Sequence, residues 1–128
     1  MVILDTNIIV DHLRLREGNE DSQLIAIVKK NPKESLAISM ITVQELYEGK
    51  STKDSQKEQF LLATISPLKI LPYTFEVAQL AGGIARDLNW PIELADAAIA
   101  ATAVLNGCQL ATLNKKDFDG IEKLTFSS

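Results

Sequence analysis

The sequence holds one cysteine, Cys108, and one histidine, His12. A single cysteine excludes an intrachain disulfide and a multi-cysteine zinc site. A single histidine removes multi-histidine metal sites and leaves histidine-assisted nucleophilic catalysis to His12 alone. No apolar run approaches the roughly 18 residues that a membrane span needs. The opening Met1-Val2-Ile3-Leu4-Asp5 has neither the basic region nor the apolar stretch of a signal peptide, so the expected location is cytoplasmic. A basic excess is also missing: 17 acidic and 13 basic residues leave a net charge of −4. That argues against a general nucleic-acid coat protein. It does not argue against a nuclease, whose catalytic carboxylates lower the net charge by themselves. Internal repeats, linkers and low-complexity tracts are absent. Chemistry in this chain must therefore run mainly on carboxylates.

What is present suits one globular domain. The chain has 128 residues, 46% of them hydrophobic and 23% charged, and this length buries a core without a disulfide or structural metal. Strands and helices alternate. Val2 to Leu4 is a branched apolar run that reads as a buried first strand, ended by Asp5. Thr6 to Leu13 resumes with helical spacing, and Arg14 to Glu20 reads as a charged loop. Asp21 or Ser22 caps a second helix through Lys30, stopped at Asn31-Pro32-Lys33. Leu36 to Met40 is the second strand. Thr42 to Tyr47 is a helix that Gly49 ends in a left-handed cap. Lys50 to Gln59 reads as a polar loop before a helix with Phe60, Leu61, Leu62 and Ile65 on its buried face.

Leu68 to Leu71 is the third strand. Thr74 caps a helix from Phe75 to Leu88, and Glu93 to Leu105 is an alanine-rich helix ended by Asn106-Gly107. Gln109 to Thr112 is the fourth strand, and Lys123 to Phe126 a short fifth. Strands alternating with helices predict an α/β fold whose mostly parallel sheet is covered on both faces.

Ligands of open parallel sheets bind outside the carboxyl ends of the strands. Asp5 directly follows the first strand, and Glu45 lies a short turn after the second. Thr112, Asn114 and Asp117 follow the fourth, and Asp96 sits in the first turn of the alanine-rich helix. Four acids remote in sequence thus converge at one edge. Hard divalent cations such as Mg2+ and Mn2+ prefer oxygen ligands of this kind. One or two of them would activate a water for in-line displacement at phosphorus, with no histidine needed.

Each acid also has an ordinary structural reading. Asp5 is in place to cap the first helix. Thr42-Val43-Gln44-Glu45 fits a capping box. Asp96 suits a helix N-terminus electrostatically, although Leu94, Ala95, Ala97, Ala98 and Ile99 make that stretch an expensive place for an unpaired carboxylate.

Four segments carry a family resemblance. They are Ile3-Leu4-Asp5-Thr6-Asn7, Ser39 to Gly49, Leu94 to Ala103 with Asp96, and Ala111-Thr112-Leu113-Asn114-Lys115-Lys116-Asp117-Phe118. In this order and spacing the chain resembles the PIN domain, in particular the VapC-type toxin ribonucleases of bacterial toxin–antitoxin pairs. The resemblance implies an α/β/α sandwich and RNA cleavage dependent on Mg2+ or Mn2+. It places the catalytic and metal-binding positions on Asp5, Glu45, Asp96 and Asp117, with Asp119 the competing choice for the fourth acid. It gives Asn7, Thr112 and Asn114 the task of orienting those ligands. It also implies a homodimer and a cognate antitoxin protein that silences the site.

Lys50, Lys53 and Lys57, Lys115 and Lys116, and Arg14 and Arg16 lie near the same edge and are candidates to bind RNA phosphates. His12 and Cys108 read as structural, Trp90 as a packing residue, and Phe60, Phe75 and Phe118 as core. The small residues Ala78, Ala81, Gly82, Gly83 and Ala85 permit close helix packing, in the core or between copies. Two other functions remain open on the residues alone. One is a phosphotransfer or phosphatase-like domain with Asp5 as nucleophile, which Asn7 disfavours by standing where a second aspartate is wanted. The other is a non-catalytic binding module.

Overall fold

The computed structural model describes residues 1–15 and 21–127. Its strands are β1 (Val2–Leu4), β2 (Leu36–Ser39), β3 (Lys69–Leu71) and β4 (Gln109–Ala111). The helices are α1 (Thr6–Arg14), α2 (Gln23–Lys30), α3 (Met40–Glu48), α4 (Ser55–Ile65), α5 (Phe75–Asp87) and α6 (Leu94–Leu105), with 3₁₀ turns at Lys50–Lys53 and Lys115–Phe118. The sheet order is β3-β2-β1-β4 and every pairing is parallel.

β1 lies in the middle, and its three residues are buried on both faces, which is why it reads as an unbroken apolar run. The pleat sends Val2 and Leu4 to one side and Ile3 to the other. On the first side they join Ile38, Ile8 and Ile9 of α1, Leu24 of α2, and Leu61 and Ile65 of α4. On the second, Ile3 and Leu110 pack with Ile99, Ala100 and Ala103 of α6 and with Phe118. A further layer joins Val77 and Ala81 of α5 to Ala97 and Ala101 of α6. The result is the expected three-layer α/β/α sandwich. No helix among the described residues is long and apolar enough to cross a membrane.

Several local expectations are corrected. Gly49 has φ −72° and ψ 138°, an extended conformation rather than a left-handed cap. The stretch expected to be a loop after it holds a 3₁₀ turn and then the start of α4 at Ser55, capped by Asp54, whose carboxylate accepts from the amides of Gln56 and Lys57. That first turn is polar because it faces water. The fifth strand reduces to one parallel bridge between Leu110 and Phe126. The capping box does not form: α3 begins earlier, with Ser39 as its N-cap, so Thr42 and Glu45 lie inside the helix.

Phe118 is buried, but Phe75 is 77% exposed. As a first-turn residue it lies on the side of α5 away from α6. The small residues of α5 divide similarly: Ala81 packs on α6, while Ala78, Gly82 and Ala85 face outward. Of the expected loop Arg14–Glu20, Arg14 closes α1, and residues 16–20 lie outside the described residues, Arg16 among them.

His12 Nδ1 and the buried Ser22 Oγ are 2.7 Å apart, and Ser22 caps α2 by accepting from Ile25. This ties α1 to α2. Cys108 is buried, and Gly107, at φ +64°, makes the left-handed turn after α6. Trp90 Nε1 donates to the Asp119 carbonyl at 3.3 Å.

Candidate active site

The carboxyl ends of β1 and β4, adjacent in the sheet, bring Asp5 and Thr112 together. Asp5 is 6% exposed. One of its oxygens accepts from the Thr6 amide at 2.7 Å, and the other from the Thr112 hydroxyl at 2.8 Å. It therefore caps α1 and presents its carboxylate at the sheet edge; the two readings are compatible. Burial raises its pKa, the Thr112 and Thr6 hydrogen bonds lower it, and the charge of Asp117 raises it.

Glu45 reaches the same edge from α3. Its Oε1 accepts from the Thr6 hydroxyl at 2.5 Å, and the Thr6 and Thr42 hydroxyls are 3.0 Å apart. Thr6 has one hydroxyl proton. Donating it to the carboxylate leaves its oxygen to accept from the fully buried Thr42. The order Thr42 to Thr6 to Glu45 is a hydroxyl relay that aims the carboxylate. Burial, and then the charges of Asp5, Glu48 and Glu93, raise the Glu45 pKa against the Thr6 bond.

Asp96 stands in the first turn of α6, partly buried, with no hydrogen-bond donor to its side chain among the described residues. Burial, then the charges of Asp5, Asp117, Glu93 and Glu45, lift its pKa from 3.8 to about 7. An acid in that state is a proton acceptor near neutrality and a ready cation ligand.

Asp117, in the 3₁₀ turn after β4, accepts from the Asn114 side-chain amide at 2.8 Å. Its charge acts on both Asp5 and Asp96. Asp119 is exposed. Asn114 is placed by Thr112, whose hydroxyl oxygen accepts from the Asn114 backbone amide at 3.1 Å. Asn7 spans the same seam, with its side-chain oxygen 3.4 Å from the Leu113 amide and its nitrogen 3.4 Å from Thr112 Oγ1. Thr112 thus donates to Asp5 and Asn114 to Asp117, while Asn7 contacts Thr112 and the Leu113 amide.

Three contributors went unnoticed in the sequence. Thr6 and Thr42 make the relay to Glu45, and Glu93 adds its charge at both Glu45 and Asp96. Glu93 was legible as an acid at the N-cap of α6, three residues before Asp96; the relay between the threonines gave no signal, since their contact joins residues 36 apart.

As the side chains stand, no three acids among the described residues close around a single point. The donor chemistry still fits a hard cation, because every group is oxygen and Asp96 has no competing donor among the described residues. Mg2+ in particular takes one or two carboxylates and keeps its waters, so it needs no closed cage. Of the lysines, Lys50 and Lys53 lie in the 3₁₀ turn after α3. The Lys115 ammonium sits 5.6 Å from the Phe126 ring centre, and Lys116 is exposed beside it.

The family model for the PIN domain matches residues 2–124. The chain belongs to the PIN-domain family. Ribonuclease VapC10 of Mycobacterium tuberculosis is 34% identical over 127 residues, covering 97% of this chain and 90% of the relative. Among solved structures, VapBC2 of Rickettsia felis bound to a DNA fragment from their promoter matches with a TM-score of 0.82 and 26% identity over 99% of this chain and 98% of that one. A toxin–antitoxin complex from Klebsiella pneumoniae matches with a TM-score of 0.75 and 27% identity over 98% and 96% of the two chains. In this PIN fold the acids gather at the carboxyl edge of the sheet, where an open parallel sheet binds ligands.

Proposed function

We propose that this chain, a single PIN-like unit, is a cytoplasmic endoribonuclease dependent on Mg2+ or Mn2+ and the toxin of a toxin–antitoxin pair. The observation that carries the reading is Asp96: a partly buried carboxylate with no donor among the described residues, raised to about 7 by burial and then by the acids around it. A fold keeps so unfavourable a cluster only if something offsets the repulsion. Asp5, Glu45, Asp96 and Asp117 are the groups that would hold the cation. When bound, it supplies Lewis-acid stabilisation at phosphorus and an acidified water.

The chain's own residues do the rest. Thr112 and the Thr6 amide hold the Asp5 carboxylate fixed at the end of β1. The Thr42–Thr6 relay aims Glu45, and Asn114 holds Asp117. Similarity to Ribonuclease VapC10 supports RNA as the substrate. Similarity to a chain in a toxin–antitoxin complex supports a cognate antitoxin protein as the partner; a homodimer belongs to the same proposal. A phosphotransfer role for Asp5 is disfavoured by Asn7, which stands where such a site wants a second aspartate.

The test is induced expression of this chain in bacteria beside Asp96→Asn at matched soluble levels, with RNA cleavage by both purified proteins in Mg2+, Mn2+ and EDTA. Growth arrest and metal-dependent cleavage by the parent alone support the reading. Arrest by both proteins, or cleavage that survives EDTA, refutes it.

A further inference from the structure

A groove of about 630 Å³ lies between α1, α3 and α4, and Glu45, one of the four acids, is among its lining residues. Its volume is in the range of pockets that enclose a ligand, about 300–1,000 Å³. The floor is apolar, with Val10 and Leu13 from α1 and Phe60 and Leu61 from α4. The rim is cationic: Arg14 from the end of α1, Lys50 from the 3₁₀ turn and Lys57 from the first turn of α4. Glu45 is the one acid among its lining residues, on a chain whose net charge is −4. Among the described residues Lys50 and Lys57 form no ion pair. Another concavity, by contrast, mixes acids and bases and includes the Arg86–Asp87 pair.

Resting on the nuclease reading, we propose that this groove is a nucleotide subsite for single-stranded RNA beside the scissile phosphodiester. A base lies on the apolar floor against Phe60, and the flanking phosphates meet Lys50, Lys57 and Arg14. The chemistry favours a nucleic acid over an acidic peptide for two reasons. The floor offers a flat aromatic surface of the kind bases stack on. The groove also shares Glu45 with the acids proposed to act on RNA, so a strand held there has a nucleotide within reach of the groove. Phe60 is backed by the His12 ring, 5.7 Å away between centroids, which is itself held by Ser22.

The experiment measures binding of a labelled single-stranded RNA of about ten nucleotides to the Asp96→Asn chain, across a series of salt concentrations. Adding Lys50→Glu and Lys57→Glu should weaken binding about tenfold or more and reduce the salt slope by about 1.4, the share of two phosphates on a single strand. Phe60→Leu, which keeps the packing volume but not the ring, should weaken binding about fivefold or more. Lys30→Glu with Lys33→Glu, the same charge change near the opposite edge of the sheet, should leave affinity and slope unchanged. Unaltered affinity and slope in the Lys50/Lys57 variant would overturn the proposal. So would lysine-dependent binding of a polyglutamate peptide with RNA binding unaffected, because the groove would then take an acidic protein segment. Cleavage by the parent is scored separately. A parent that cuts RNA while the groove variants bind normally keeps the nuclease and removes the subsite. Groove-dependent binding by a parent that cuts no RNA keeps the subsite and removes the nuclease.

Discussion

Asp96→Asn should make the metal-free protein more stable. Asp96 carries a pKa of about 7 in the fold against an ordinary 3.8. A carboxyl raised in this way keeps a proton when folded that it releases when unfolded, so its effect on stability is least harmful below 3.8 and worsens as pH rises through 7. At about 1.4 kcal/mol per tenfold change in acidity, the full rise corresponds to about 4 kcal/mol. Asp96 is partly open to water, and screening reduces this to about 1–2 kcal/mol at pH 8. Asparagine has nearly the same shape and no charge to repel. In EDTA at pH 8 the variant should therefore melt about 3–8 °C higher than the parent. Near pH 4.5, where the parent holds the proton, the gain should shrink toward zero. Thermal melts of both proteins across this pH range provide the assay. A variant no more stable than the parent at pH 8, or a gain independent of pH, would refute the account of Asp96 as a carboxylate strained by its neighbours.

Manganese should raise the melting temperature of the parent, more at pH 8 than at pH 6, and release protons on binding that differ between buffers in calorimetry; no shift at either pH would favour a non-catalytic binding module. Thr6→Val breaks the relay to Glu45 and should lower RNA cleavage about 10- to 100-fold, while Thr6→Ser restores it; equal rates for all three proteins would show that the relay does not position Glu45. Ser22→Ala removes both the α2 cap and the partner of His12, and should cost about 1–2 kcal/mol in urea denaturation. A change within about 0.3 kcal/mol would mean that α1 and α2 are held by apolar packing alone.

The order of elements was legible because it follows from local patterns. Val2 to Leu4 is apolar throughout since both faces of β1 are covered, and α6 is rich in alanine since it lies between the sheet and α5. The misreadings have local causes as well. Ser55 to Gln59 is polar because the first turn of α4 faces water, so helical periodicity has nothing to register there. Thr42 and Glu45 satisfy the spacing of a capping box, but Ser39 sits at the true start of the helix and accepts from the Ile41 amide. Phe75 is apolar yet exposed, which no property of the residue itself signals.

The site divides in the same way. Asp5 and Asp117 were visible as acids after strands, and Asp96 as an acid in an apolar helix. The Thr6–Thr42–Glu45 relay and the contribution of Glu93 arise from contacts across the sheet edge.

By itself the sequence determined the alternation of strands and helices, the family, and the kind of chemistry available. These depend on composition and on spacing along the chain, and with one histidine and one cysteine the available ligands are oxygen. Only the tertiary structure decided which acids feel one another, Asp117 among them, and that burial and those charges raise the Asp96 carboxyl far above its ordinary value. Those outcomes depend on distance and on excluded water between residues far apart in the chain, and neither is a local property of the sequence.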